Sequence, residues 1–340
     1  MKRTGEDAPR GARVALALCA GAVAGLTLVR VAVSALSIGG LPAILMQALG
    51  IVLFTLAPSV LGLLVLEGDQ THVVRLQTLS TAQITLYAAT GVLAVFPAAL
   101  LGGLIELLLQ SLAAAVSSAI AALGASGAVA KTGLPAAAFA GFAPALSAPP
   151  MGFVGIASAV AGDAPVLGPS LFLPMLLCHA LLAPVGEELF FRGYLLGVWE
   201  RDGRHAAAIA VSLLFALAHG LGSVTSVYLL LGLLFALLTQ RANSVLAAML
   251  AHALYNATLV SLEFLGAGML MDVRSLPSCA LLLLGCAAFI AVLWRALALR
   301  PSVKRARFWD GRGLSRRELA LLIGAALALI VSLIVGGIFG

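Results

Sequence analysis

The 340-residue chain is 62% hydrophobic and only 10% charged, whereas soluble domains carry about 25% charged residues. So few charges cannot cover a water-facing surface, which excludes a soluble, a disordered or a collagen-like protein. The net charge of +6 comes from short basic runs beside apolar segments, a pattern typical of membrane topology signals rather than of nucleic-acid binding. The sequence therefore predicts an all-α, polytopic transmembrane helical bundle.

A transmembrane helix needs about 20 mostly apolar residues, and the sequence contains about nine such stretches. They are residues 12–38, 42–66, 82–108, 171–199, 205–222, 224–240, 244–266, 277–299 and 319–340. The first stretch follows basic residues, as a secretory signal does, but it has no convincing small-residue cleavage site, so we expect a retained helix.

These stretches divide the chain into five parts. Within a bundle of about nine helices with an eight-helix-like core, residues 1–108 are expected to form the N-terminal membrane helices and residues 171–299 the helical core that carries the polar motifs. Between them, residues 109–170 are rich in Ala, Gly and Pro, and we expect a connector with an interfacial or re-entrant helix near residues 111–127. A basic cytoplasmic loop at 300–318 and a C-terminal transmembrane helix at 319–340 complete the prediction.

Lys and Arg near helix ends favour the cytoplasmic side of a membrane. They collect at the N-terminus, near Arg75, near Arg201 and Arg204, near Arg241 and between residues 300 and 317. All five basic segments lie on one side if the N-terminus is cytoplasmic and the 109–170 connector is outside. The Ala-rich composition is typical of a bacterial chain, so we expect the plasma (inner) membrane of a bacterium.

The densest group of charges in an apolar stretch is Glu187, Glu188 and Arg192. A charge at the bilayer centre costs about 2.5–3.5 kcal/mol, so each one needs a partner or a task. Glu188 and Arg192 are four residues apart on one helix face and are expected to form a structural ion pair. Glu187 points about 100° away and has no local partner, so it can act as a general base or acid.

Two later stretches add polar groups that suit the same site. His219 lies in one of them, and His252 and Asn256, four residues apart, share a face of another. Counted from the predicted cytoplasmic ends at about 1.5 Å per residue, Glu187, His219 and His252 lie roughly 18, 21 and 12 Å deep. We therefore expect one cavity within the membrane that holds all four side chains.

This set of residues has the parts that peptide hydrolysis needs. Glu187 with His219 can activate a water molecule, and His252 with Asn256 can donate hydrogen bonds to the oxyanion. Glu187, His219 and His252 are also side chains that Zn²⁺ accepts. The chain has no H-E-x-x-H motif, and the sequence leaves open whether a divalent metal holds the water or whether Glu and His alone do so.

The ordered motifs on three predicted helices resemble those of the CPBP intramembrane proteases, also called Abi proteins, which include type II CAAX prenyl endopeptidases. The motifs are Glu187-Glu188-x-x-x-Arg192, Phe215-x-x-x-His219 and His252-x-x-x-Asn256. The resemblance covers about residues 170–265. It implies a membrane endopeptidase, of metalloprotease or glutamic type, that uses the four site residues in the roles given above. The substrate would be a membrane-associated protein or peptide.

Two other functions are compatible with buried charges. A proton-coupled transporter also uses intramembrane Glu, His and Arg, but it would be expected to show inverted repeats, which this sequence lacks. A membrane binding or immunity protein could keep the same helices without proteolysis. Of the other polar residues, Arg30, Glu106 and Glu263 are expected near the membrane interfaces, and His179 is expected to support the site from behind.

Overall fold

The computed structural model describes residues 7–36, 38–65, 74–125, 169–200, 203–219 and 225–299. Within these residues there are helices and no strands. The helices are α1 (Asp7–Ala35), α2 (Gly40–Ile51, a π-helical turn at Val52–Leu56, and Ala57–Val65), α3 (Thr81–Leu93), α4 (Val95–Ala125), α5 (Pro169–Trp199), α6 (Arg204–Ala218), α7 (Thr225–Ala242), α8 (Val245–Phe264) and α9 (Leu276–Ala298).

Seven described segments are long and apolar enough to cross a membrane, with α3 and α4 together forming one of them. α6 is apolar but has only 15 residues, a length of about 22 Å against the ~30 Å of a bilayer core. The prediction of a polytopic helical membrane protein is confirmed. The predicted loop at 300–318 and the predicted helix at 319–340 lie outside the described residues.

The third predicted span is longer than the sequence suggested. α4 continues without a break past residue 108 to Ala125, so the first part of the predicted connector is a helix that prolongs the span. Ala and Leu dominate this stretch and favour a helix, and Ser111 donates to the Leu107 carbonyl at 2.8 Å, so its hydroxyl is accommodated within the helix. The rest of the connector, residues 126–168, lies outside the described part of the chain.

α3 begins at a capping box. The Ser80 hydroxyl accepts from the Gln83 backbone N–H at 3.3 Å, and the Gln83 side chain accepts from the Ser80 N–H at 2.9 Å. The helix ends at Ala94, where α4 follows directly. Pro97 lies in the first turn of α4, the part of a helix in which the missing N–H of proline is tolerated.

α5 carries the Glu187-Glu188-x-x-x-Arg192 motif and changes its pitch twice. The α-helical turn Ala183–Glu188 lies between π-helical stretches at Leu176–Leu182 and Leu189–Leu195. Pro184 lacks an N–H and clashes with the carbonyl four residues earlier in a regular α-helix, so the wider turn before it relieves a local conflict. Single π-helical turns are frequent at functional sites, and here they flank the two adjacent glutamates.

A polar cluster ties several helices together at one end of the bundle. Glu200, just after α5, pairs with Arg75 and with Arg204, whose Nε lies 3.7 Å from Glu200 Oε1. The Arg204 side chain donates to the Gln240 carbonyl at 2.6 Å. Three of the predicted basic segments therefore lie at the same end of the bundle. This is required if they are to lie on the same side of the membrane.

Candidate active site

Glu187 and Glu188 are both buried on α5, which is packed against α2. Gly186 allows this close approach, because a Cβ atom there would lie 2.6 Å from Thr55 Oγ1. The Thr55 hydroxyl is turned back onto its own helix and donates to the Ile51 carbonyl at 2.6 Å. The short side chain before Glu187 thus lets α5 lie directly on α2 at the level of the site.

Glu188 is the centre of a fully buried network. Its Oε1 accepts from Arg192 Nη1 at 2.8 Å, which is the ion pair expected from the sequence, and it also lies 2.8 Å from His252 Nδ1. Arg192 Nη2 donates to the Gly232 carbonyl at 3.0 Å, and its guanidinium carbon lies 4.3 Å from the centre of the Phe215 ring. The network links α5 to α6, α7 and α8.

Gly232 makes the α7 part of this network feasible. A Cβ atom there would lie 3.0 Å from Ser212 Cα on α6, so only a glycine lets the two helices come so close without a shift. The short separation brings the Gly232 carbonyl within reach of Arg192. A single glycine among the 36 in the sequence carried no signal of this role.

Glu187 faces His219 across the cavity. Its Oε2 lies 3.5 Å from His219 Nε2 and has no hydrogen-bond partner within the described residues. His219 Nδ1 lies 2.8 Å from the Phe215 carbonyl, which can only accept, so Nδ1 carries the proton and donates. In the neutral imidazole, Nε2 is then an acceptor aimed toward the carboxylate.

Asn256 has a partner that the sequence did not indicate. Its Nδ2 donates to the His179 carbonyl at 2.7 Å, which joins α8 to α5. One N–H of the amide is used in this bond, and the second N–H remains for another acceptor. The His179 imidazole lines the cavity itself, whereas the sequence placed it behind the site.

A cavity of about 220 Å³ joins these residues. It is lined by residues of six helices, α1, α2 and α5 to α8. Glu187, His219, His252 and Asn256 all lie on its wall, so the structure brings together the four side chains that were expected to share one cavity. At about 30 Å³ per molecule in the liquid, the volume holds several waters.

Aromatic rings hold both histidines in place. Tyr228 on α7 stacks on His219 with ring centres 4.2 Å apart, and Phe235, two turns later, stacks on His252 at 4.7 Å. Phe215 contacts both imidazoles, at 4.3 and 5.8 Å. These rings leave each imidazole little freedom to turn. The sequence did not indicate this role for Tyr228 and Phe235, because α7 has the pattern of an ordinary apolar helix.

Arg30, which the sequence placed near a membrane interface, lines the cavity. It belongs to α1, and its Nη2 donates to the carbonyl of Ala218, the residue before His219. Glu106 and Glu263 do not line the cavity. Glu106 accepts from Gln110 at 3.0 Å on α4.

A metal site would need three or more ligands close together. Within the described residues, no three His, Cys, Asp or Glu side chains are arranged so that they could hold a metal ion. Glu187 and His219 face each other, whereas His252 is engaged by Glu188. Glu187, His219 and His252, the possible zinc ligands named from the sequence, are thus not gathered as one ligand set in the described part of the chain.

Comparison with known proteins agrees with this geometry. Residues 169–258 match the family model described as Type II CAAX prenyl endopeptidase Rce1-like. The match covers about a quarter of the chain, and it spans α5, α6, α7 and the part of α8 that holds His252 and Asn256. No curated protein and no solved structure matches the chain. The resemblance to the CPBP proteases is thus confirmed, since residues 169–258 are similar to the Rce1-like type II CAAX prenyl endopeptidases.

Proposed function

We propose that this chain is an intramembrane endopeptidase that hydrolyses a peptide bond of a membrane-associated protein or peptide. The observation that carries the proposal is the pair of facing acceptors, Glu187 Oε2 and His219 Nε2, 3.5 Å apart on the cavity wall, with Glu187 Oε2 lacking a hydrogen-bond partner within the described residues. Two acceptors this close need a shared donor, and a water molecule beside them has two hydrogens to give. Such a water is positioned for attack.

In the proposed reaction, the water oxygen attacks the carbonyl carbon of the scissile bond while Glu187 takes a proton from the water. His219 accepts the second hydrogen bond of the water and fixes its direction. The tetrahedral intermediate then expels the amine as the C–N bond breaks, and the proton on Glu187 passes to the leaving nitrogen. The products are a carboxylic acid and an amine, and Glu187 returns to its starting state.

The developing oxyanion needs donors. The second amide N–H of Asn256 is one. When His252 Nε2 carries a proton it is the second donor, while Nδ1 is held by Glu188. Each donor of this kind contributes about 10²–10³ in rate in well-studied hydrolases. Glu188 and Arg192 act through His252 as positioning residues.

The proposal extends to the setting of the enzyme. Residues 171–299 are the catalytic core, the bilayer is its solvent, and the N-terminus lies in the cytoplasm of a bacterium. The alignment of three basic segments at one end of the bundle supports this orientation. The substrate reaches Glu187 from within or beside the membrane.

The test is cleavage of a labelled membrane peptide by the purified protein in liposomes, with Glu187→Gln as the variant. The substitution keeps the size of the side chain and removes the base, so cleavage should fall by about 10²–10⁴. Glu263→Gln is the matched control, because Glu263 is an acidic residue on α8 that does not line the cavity. Wild-type cleavage by Glu187→Gln, or solute-driven proton flux without cleavage, would contradict the proposal.

A further inference from the structure

Arg30 places a positive charge in the cavity, although it lies outside the segment that matches the family model. Arg30 belongs to the span Val14–Val33, which has a mean hydropathy of 2.1, and its side chain lines the same cavity as Glu187 and His219. The matched family segment begins at residue 169, so the family comparison assigns no role to Arg30. A charge within an apolar span is costly enough to require a task.

One contact of Arg30 is structural. Its Nη2 donates to the carbonyl of Ala218, the last residue of α6, and a cation is favourable at the C-terminal end of a helix. The guanidinium has five N–H groups in a planar fork, and this bond uses one of them. Within the described residues, Arg30 makes no other hydrogen bond and has no carboxylate within 4.0 Å.

The nearby charges leave Arg30 without a dedicated partner. Glu188 already contacts Arg192 and His252 through its Oε1 atom. Glu187 acts on Arg30 electrostatically but lies beyond ion-pair distance, and in the proposed reaction it becomes neutral when it takes the proton of the water. Tyr228 and His219 also line this cavity and interact electrostatically with Arg30, and Gln47 of α2 is a further polar residue on the wall. A free planar fork of this kind matches a carboxylate, which it can bind with two parallel hydrogen bonds.

The size of the cavity limits where that carboxylate can come from. A sphere of 220 Å³ is roughly 7–8 Å across, which is the length of about two extended residues. A carboxylate bound at Arg30 would thus lie only a few residues from the bond that Glu187 attacks.

We propose that Arg30 binds a carboxylate of the peptide substrate, first of all the carboxylate at its C-terminus, and so selects chains that end close to the scissile bond. This inference rests on the proposed peptidase function. It adds a substrate-binding residue from α1 to a site otherwise built from α5 to α8, and it makes the peptide terminus part of what is recognised.

The probe is a fluorescent peptide with an S-farnesyl cysteine followed by three residues, the substrate type named by the family description. It is prepared as the C-terminal acid, as the C-terminal amide, and as an amide whose last residue is Asp. Binding is measured by fluorescence anisotropy in liposomes, in the Glu187→Gln background, so that no cleavage is needed. The acid should bind about tenfold to a hundredfold more tightly than the amide, as expected for hydrogen bonds to a charged group.

Arg30→Gln tests the residue, because glutamine keeps a polar N–H donor but carries no charge. The ratio of acid to amide affinity should fall to about one. Arg295→Gln is the matched control, since Arg295 lies on α9, exposed and outside the cavity, and the ratio should stay as in the parent. A structural role for Arg30 alone would lower both affinities together and leave the ratio unchanged.

The outcomes separate this inference from the proposed function. If the Asp amide binds as tightly as the acid, a side-chain carboxylate serves as well as the terminal one, and the selection of chain ends is overturned. Equal binding of acid and amide by the Glu187→Gln parent, which needs no Arg30 variant to fold, also overturns the inference. So does an acid preference that survives in Arg30→Gln. Failure of the wild-type protein to cleave any peptide would overturn the proposed function and leave this binding result interpretable.

Discussion

Glu187 and Glu188 are adjacent in the chain but lie in opposite surroundings. Glu188 has no exposed surface, and its Oε1 receives both Arg192 and His252 at 2.8 Å. Glu187 lines the cavity, and its nearest polar partner is His219 at 3.5 Å. The 100° step between neighbouring helix residues sends one carboxylate into the helix packing and the other into the cavity.

This difference shows how one short motif can supply both architecture and chemistry. A buried carboxylate with two charge-assisted partners is fixed in place, and its removal disturbs the helices that it joins. A carboxylate with an unsatisfied oxygen beside a cavity is available to water and substrate. We therefore expect substitutions on the Glu188 side to change mainly stability and those on the Glu187 side to change mainly cleavage.

The largest expected effect is on the Glu187 side. His219→Gln removes the Nε2 acceptor that directs the water, and cleavage should fall by about 10²–10⁴ while the fold is retained. The measurement is kcat/KM for the labelled peptide in liposomes, with the unfolding midpoint of the same sample as the control. Cleavage at the wild-type rate would show that His219 is a packing residue.

The next effect is on the Glu188 side. Arg192→Met leaves the buried Glu188 without its main counter-charge and should lower the free energy of unfolding by about 3–5 kcal/mol. The measurement is unfolding of the protein in mixed micelles by SDS. The double variant Glu188→Gln with Arg192→Met should recover part of the loss, because both charges are gone. If the double variant loses as much stability as the two single variants together, the two side chains are not coupled.

Asn256→Ala should have an intermediate effect on both quantities, because Asn256 serves both sides of the comparison. It loses the bond to the His179 carbonyl, worth about 1 kcal/mol of stability, and it loses one proposed oxyanion donor, worth about 10²–10³ in rate. Cleavage and unfolding are measured on the same preparation. A stability loss without a loss of rate would assign Asn256 to helix packing alone.

The smallest effect is expected outside the cavity. Glu200→Gln weakens the contacts with Arg75 and Arg204, which are partly exposed, so the free energy of unfolding should fall by about 1 kcal/mol or less. Cleavage should remain at the wild-type rate. A large loss of cleavage would show that this end of the bundle communicates with the site.

Much of the site could be predicted from the sequence because helices have simple geometry. The four-residue spacing predicted the contact of Glu188 with Arg192, and counting residues from the basic segments placed Glu187, His219 and His252 at similar depths. Charged and polar side chains in apolar stretches are rare, so most polar residues of the candidate site could be identified without a structure.

The remaining features depend on packing between helices. Nothing in the sequence indicated that Arg30 lines the cavity, because position along α1 does not reveal which helices surround its end. Asn256 was expected to face the cavity only, and nothing in the sequence indicated the His179 carbonyl as its partner. The continuation of α4 to Ala125 was missed because its Ser and Gly residues resembled those of a connector.

The most direct test of the account compares Glu187→Gln with Glu188→Gln in the same liposomes and micelles. We predict that Glu187→Gln loses cleavage by at least about a hundredfold and keeps the unfolding free energy of the wild type. Glu188→Gln should instead lose several kcal/mol of stability, since Arg192 is then buried without a counter-charge. Equal loss of stability in both variants, or wild-type cleavage by Glu187→Gln, would contradict the division of roles between the two glutamates.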